Sequence, residues 1–267
     1  MSRVITIANQ KGGVGKTTTA INLGAALAVA EQRTLVIDMD PQANASSGLG
    51  LWGHDQVSGM YDVMIGGSSI DESRVRQLHF PYLDMVGTTR DLAGAEIELV
   101  GVEARESVLR TALAPIRDEY DYILVDCPPS LGLLTLNTLT AADSVLIPIQ
   151  CEFYALEGLS QLLNTVRVVQ RGLNTGLEIE GVLLTMFDKR LNLSKQVARE
   201  AREYFGDKVF TNAIPRNVRL AEAPSFGKPI IIYDVLSAGA RYYLRLAREV
   251  IQRTQHRLAT TRARVPS

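Results

Sequence analysis

A doubly wound α/β fold, with a mostly parallel sheet flanked by helices, is predicted by three features of the chain. Short apolar strands alternate with helical segments almost from the first residue. The strand candidates at 4–8, 34–38 and 122–126 are apolar at successive positions, so both of their faces must be covered. The first strand runs directly into Asn9-Gln10-Lys11-Gly12-Gly13-Val14-Gly15-Lys16-Thr17-Thr18-Thr19, a glycine-dense loop that opens a helix.

The elements follow in order. Strand 4–8, helix 16–30 and strand 34–38 make a right-handed βαβ unit. Residues 41–104 are less regular, with a short helix at 59–65, a strand at 83–86 and a small helix at 91–99. Regular alternation then returns. Helix 106–117 leads to strand 122–126, helix 133–141 to strand 144–149, and helix 156–170 to strand 181–185. Helix 193–204 precedes a short strand at 209–210, and a long helix at 233–254 closes the fold. The reading is one domain over residues 1–254 and a mobile basic tail over 255–267.

Composition narrows the class. The 267 residues are 46% hydrophobic, enough for one large core. The formal net charge of -1 identifies no partner, but its distribution does more. Residues 206–267 carry eleven Lys or Arg against four Asp or Glu, leaving the rest of the chain at -8. A basic terminal region fits a polyanion partner, and equally a solvated helix and tail. Cys127 and Cys151 lie in or beside apolar runs without metal-ligand spacing, as thiols of a reducing compartment do. With no signal-peptide pattern and no apolar run long enough to span a bilayer, a cytoplasmic location is expected.

The loop after the first strand is a phosphate cradle. Gly12, Gly13 and Gly15 let the backbone curl around a β-phosphate, with Val14 between them. Lys16 is placed for the β- and γ-phosphates, Thr17 for Mg²⁺, and Thr18 for the α-phosphate. Gln10 stands where the common G-x-x-x-x-G-K-[ST] pattern has glycine, yet the strand-loop-helix context is intact. Asp126 ends a strand and faces the ligand crevice, where it can hold Mg²⁺ through water. Asp38 and Asp40 end the second strand. Asp38 looks suited to the metal shell and Asp40 to the attacking water, although the residues alone leave that division open. Gln42 and Asn44 are polar neighbours in the same loop.

Lys11 is a second cation at the outer lip of the cradle. A triphosphate carries close to four negative charges, which Lys16 and Mg²⁺ offset incompletely. Two copies set face to face could each insert Lys11 at the other's phosphates, as an arginine finger does in trans. A side chain at Gly12 would block that approach. ATP would then favour pairing by mass action.

On these stretches the chain resembles the chromosomal ParA (Soj) proteins, deviant Walker A P-loop ATPases related to MinD. The likeness is carried by 9–22, 35–44, 92–99, 122–129, 185–192 and 215–233. It is most specific in Lys11-Gly-Gly-Val-Gly-Lys16-Thr-Thr and Pro215-Arg-Asn-Val-Arg219-Leu-Ala-Glu-Ala-Pro224-Ser. The resemblance implies an ATP- and Mg²⁺-dependent homodimer with Lys11 and Gly12 at its interface, and Asp40 as the hydrolytic carboxylate. It places the base near Met186, Asp188, Pro215, Asn217 and Val218. It also implies sequence-independent binding of double-stranded DNA through Arg190 and Arg219, to which Lys189, Arg216, Arg241 and Arg245 can add. A ParB-like centromere-binding partner would stimulate hydrolysis through a short basic segment, on the nucleoid, driving chromosome or plasmid segregation.

The main alternative is a MinD-like division-site regulator that lies on a membrane. That requires a terminal amphipathic helix with bulky apolar anchors. Residues 252–267 offer only Leu258 and Val265 as sizeable aliphatics, so no stable membrane association is expected. An iron-sulfur reductase would need cluster cysteines, and a metabolic ligase would need a further substrate pocket. Neither is legible.

Overall fold

Strand pairing follows from which side chains must be hidden. The computed structural model describes residues 2–51, 58–152 and 159–263. Its strands are β1 (Arg3–Ile7), β2 (Thr34–Asp38), β3 (Leu83–Val86), β4 (Tyr122–Asp126), β5 (Ser144–Gln150) and β6 (Glu178–Thr185). They form one sheet in the order β3-β2-β4-β1-β5-β6, with every pairing parallel. The order reverses direction beside β1, which puts the loop after β1 at the crevice where such sheets bind ligands.

The helices are α1 (Lys16–Val29), α2 (Asn44–Gly48), α3 (Met60–Ile65), α4 (Ile70–Ser73), α5 (Leu92–Glu98) and α6 (Val108–Leu113). They continue as α7 (Leu133–Ala141), α8 (Leu159–Gly172), α9 (Asn192–Phe205), α10 (Val218–Glu222), α11 (Ile230–Tyr233) and α12 (Ala238–Ala263). Alternation along each strand divides them into two layers. Val4, Ile123, Val125, Val145 and Ile147 face a core built with α3 to α9. Ile5, Ile7, Val36, Leu124 and Leu146 face a core built with α1, α2 and α10 to α12. Gly24 lets α1 lie tightly on β2, because a Cβ there would stand 2.6 Å from a methyl of Val36.

Several expected elements differ, each for a local reason. The helix expected at 106–117 is reduced to α6 between two 3₁₀ turns, because Pro115 lacks the N–H and crowds the preceding turn. The last helix is split. Residues 234–237 break it, and α12 restarts where the Ser237 hydroxyl accepts the Ala240 N–H at 3.1 Å. It runs on to Ala263, well past the expected end, and Arg257 bonds Glu180. Residues 255–263 are therefore helix, not a loose tail. The strand expected at 209–210 is a single bridge from Val209 to Val182. The first residues of the helix expected from 156 lie outside the described residues.

Candidate nucleotide site

The phosphate loop keeps the shape its glycines allow. Gly13 and Gly15 have φ of 75° and 90°, a left-handed region that strains any L side chain. The loop is tied from below: the Asn9 amide donates to the Pro148 carbonyl at 2.7 Å, and the Thr185 hydroxyl to the Val14 carbonyl at 2.8 Å. Lys16 is buried, and its ammonium spans the loop to the Lys11 carbonyl at 3.3 Å. Burial lowers its pKa, while Asp126 and Asp40 pull the other way. Lys11 itself is exposed and makes no ion pair among the described residues. A Cβ built on Gly12 meets nothing within 4 Å, so nothing in this chain's own packing requires glycine there.

The three acidic groups expected at the phosphates hold different positions. Asp126 is fully buried at the end of β4, in register with Asp38 on β2. Both of its carboxylate oxygens lack a hydrogen-bond partner. Burial raises its pKa well above the carboxylate range, with the charge of Asp38 adding to the effect. An unpartnered buried carboxylate is costly unless a cation arrives to meet it. Asp126 and the half-buried Thr17 hydroxyl therefore fit a magnesium ion brought in with the nucleotide. Asp38, expected in the metal shell, is instead engaged by its own loop. It accepts the Asp40 N–H at 3.1 Å and both the N–H and the hydroxyl of Ser46, at 2.8 and 2.7 Å. Burial raises it to about 6 despite those bonds. Asp40 is buried but lines the phosphate chamber, and it accepts the Gln42 N–H at 3.0 Å.

Two adjoining cavities make the cleft. One, about 430 Å³, has the glycine loop, Lys16, Thr17, Asp40, Gln42 and Asn44 in its wall. The other, about 360 Å³, is largely apolar and includes Met186, Pro215, Asn217, Val218, Leu220 and Tyr243. Gly15, Thr18 and Met186 border both, so a polar phosphate chamber opens into an apolar base chamber. The two segments expected at the base meet through the Phe187–Pro215 bridge, with the Phe187 N–H donating to the Ile214 carbonyl at 3.0 Å.

Met186, Pro215, Asn217 and Val218, the residues expected near the base, line the apolar chamber, whereas Asp188 does not. Its carboxylate grips the Arg190 guanidinium at 2.7 to 3.2 Å, which holds it down at about 2. Residue-by-residue reading missed Thr185, Leu220 and Tyr243. The buried Tyr243 hydroxyl lies 3.3 Å from the Thr19 hydroxyl, and its position in a long helix gave no motif to find it by.

The cations expected on DNA are all at the surface, and three are already paired. Arg190 meets Asp188 at 2.7 Å, Arg216 meets Glu152 at 3.3 Å, and Arg219 meets Glu222 at 2.9 Å and Asp234 at 3.6 Å. Lys189 is exposed.

Comparison with known proteins agrees with this geometry. The family model described as AAA domain matches residues 2–179. The chain is 58% identical over 254 residues to the chromosome partitioning protein ParA of Myxococcus xanthus, covering 95% of this chain and 89% of that one. It is 58% identical over 250 residues to the sporulation initiation inhibitor protein Soj of Bacillus subtilis, covering 94% and 98%. A solved structure of cobyrinic acid a,c-diamide synthase from Mycobacterium smegmatis, with bound ADP and magnesium, matches with a TM-score of 0.83 at 35% identity over 96% of each chain. With a complete phosphate loop, paired carboxylates at adjacent strand ends and identity sustained over nearly its whole length, the chain belongs to the ParA/Soj family of deviant Walker A P-loop ATPases.

Proposed function

We propose that ATP pairs two copies of this chain face to face, and that the pair binds double-stranded DNA without sequence preference to drive chromosome or plasmid partition. The observation that carries this reading is the lip of the cradle. Lys11 is exposed there without an ionic partner among the described residues, beside a glycine that this chain's packing does not require. Both features make sense if the opposing surface is another copy. The partition role rests on the relatives that are chromosome partitioning proteins.

In the paired state each residue has a defined task. Lys16 leaves the Lys11 carbonyl for the phosphates, and Lys11 crosses to the other copy. Asp40, held by the Asp38–Ser46 frame, orients the attacking water. Thr17 and Asp126 would hold magnesium, which would supply charge neutralisation at the phosphates. Pairing doubles the set formed by Lys189, Arg190, Arg216 and Arg219, and DNA affinity rises steeply with the number of phosphates met. A ParB-like partner would stimulate turnover, and the protein would sit on the nucleoid in the cytoplasm. The membrane reading is weaker. No described helix is long and apolar enough to cross a bilayer, and the stripe Tyr243, Leu246, Ala247 and Val250 of α12 is buried in the core it shares with α1.

Light scattering tests this directly. With ATP and Mg²⁺, Asp40→Ala should be a stable dimer, and with ADP a monomer. Lys11→Ala should stay monomeric with either nucleotide. A dimer of Lys11→Ala as stable as that of Asp40→Ala would sink the reading, as would ATP-dependent co-sedimentation with liposomes in place of DNA.

A further inference from the structure

Lys11 stands where the loop is least stiffened by its own sequence. Gly12 and Gly13 follow it, and Gly13 lies at φ 75°. Two hydrogen bonds hold the backbone there. The Lys11 N–H donates to the Asn9 side-chain oxygen at 3.0 Å, and the Lys11 carbonyl accepts from the Lys16 ammonium at 3.3 Å. Among the described residues, the backbone of 10–13 makes no other hydrogen bond. The two tethers differ in what a nucleotide does to them. Lys16 is needed at the phosphates, so the carbonyl side of Lys11 is let go when a triphosphate enters. Asn9 lines neither half of the cleft, so its bond has no reason to change.

Asn9 is itself fixed. It is 5% exposed, and its amide donates to the Pro148 carbonyl at 2.7 Å. The parallel register of β1 with β5 ends at Ile7 and Leu146, and the Ala8 N–H adds one more bond to the Leu146 carbonyl. The Pro148 carbonyl lies beyond that ladder, and the Asn9 amide gives it the donor that a buried carbonyl requires. Pro148 belongs to β5, an interior strand paired with both β1 and β6. Asn9 thus refers the lip of the cradle to the middle of the sheet rather than to its own loop. Asparagine suits the task because one side chain supplies both partners, an acceptor toward the residue two positions on and a donor away from it.

We propose that Asn9 is a positioning residue for the lysine that crosses between copies. It pins the Lys11 N–H to β5, so the lip stays aimed at the opposing phosphates after Lys16 has left it. This role rests on the pairing reading above. Its basis is preorganisation. An unpinned Lys11 would have to be ordered at the moment of pairing, and fixing one backbone residue corresponds to roughly tenfold in an equilibrium constant. Two copies contribute two lips, so loss of the tether predicts pairing weaker by about a hundredfold.

Light scattering over a dilution series of the full chain, with a non-hydrolysable ATP analogue and Mg²⁺, measures pairing. Calorimetric titration with ADP measures binding to one copy. Asn9→Ala should weaken pairing by about a hundredfold while ADP affinity changes by less than about threefold. Asn9→Ser keeps an acceptor for the Lys11 N–H but is too short to reach Pro148, and it should recover about tenfold of that loss. Unchanged pairing in Asn9→Ala or no recovery in Asn9→Ser would overturn the role. So would ADP affinity that falls in step with pairing, which would make Asn9 a support of the whole loop. Lys11→Ala, run alongside, separates the two readings. If it pairs normally, the pairing reading fails and this role with it. If it stays monomeric while Asn9→Ala pairs normally, this role alone fails.

Discussion

Asp38 and Ser46 are locked together twice, the carboxylate receiving the serine's backbone N–H at 2.8 Å and its hydroxyl at 2.7 Å. The pair sits directly beneath Asp40, whose N–H also donates to Asp38. Ser46→Ala removes one buried bond and leaves the Thr88 N–H without its acceptor. A loss of about 1–3 kcal/mol in denaturant stability is expected. Nucleotide affinity should persist while turnover falls, because the residues of the base chamber are untouched. Paired binding and single-turnover assays check this split.

The acidic pair gives the nucleotide-free protein an unusual pH profile. Asp38 is raised by burial to about 6, and a carboxyl moved there from 3.8 corresponds to roughly 3 kcal/mol. The folded state binds this proton more tightly than the unfolded state. The favourable contribution is thus complete below the unfolded pKa and is lost as pH rises through the folded one. Asp126 shifts in the same direction. Free of nucleotide, the protein should gain stability as pH drops from about 7 toward 5. Magnesium nucleotide should flatten that slope. Urea midpoints across the range, with and without nucleotide, measure it.

Asp126→Asn should raise the urea midpoint of the free protein at neutral pH, since it replaces a buried carboxyl whose ionisation burial opposes. The same change should weaken magnesium-dependent nucleotide binding by at least about tenfold. Calorimetry with and without Mg²⁺ separates the two effects.

Arg219 and Glu222, 2.9 Å apart, should act on DNA with opposite signs. Arg219→Ala is expected to weaken binding at moderate salt and to lower the salt slope of a dimer by about two, one phosphate contact per copy. Glu222→Gln removes the nearer of its two carboxylate partners, leaving Asp234 at 3.6 Å, and should strengthen binding. Filter binding across a salt series, with ATP, distinguishes them. Unchanged affinity in Arg219→Ala would remove this arginine from the interface.

Gly24→Val should destabilise the fold without touching the site. Its Cβ would stand 2.6 Å from Val36, and overpacking at such a contact costs about 1–3 kcal/mol. Thermal melts check it, and nucleotide affinity at low temperature should be little changed.

The parts legible in the sequence were those governed by local rules. β2, β3, β4 and α7 begin and end where strand patterning and helix periodicity place them. The phosphate loop is equally local, since its glycines and lysines are consecutive. What escaped depended on contacts across the chain. Asp38 reads as a metal ligand until Ser46, eight positions on, is seen to occupy it. Asp188 reads as a base contact until Arg190 folds back onto it. Tyr243 has no signature, because its role comes from α12 packing on α1. The ion pairs of Arg216 and Arg219 are likewise invisible in composition, which counts their charge as free.

The base chamber has a further consequence for how the protein comes into being. Apart from Gly15 and Thr18, its walls are drawn from residues 185–186 and from 214 onward to Tyr243, whereas the phosphate loop is complete by Thr18. During synthesis the loop emerges early, and its ties to Pro148 and Thr185 come later. The apolar chamber is walled only once the segment from 214 to Tyr243 has folded and α12 lies over α1. A product ending soon after Thr185 would keep the loop and its ties to Pro148 and Thr185, but it would lack most of the walls of the apolar chamber.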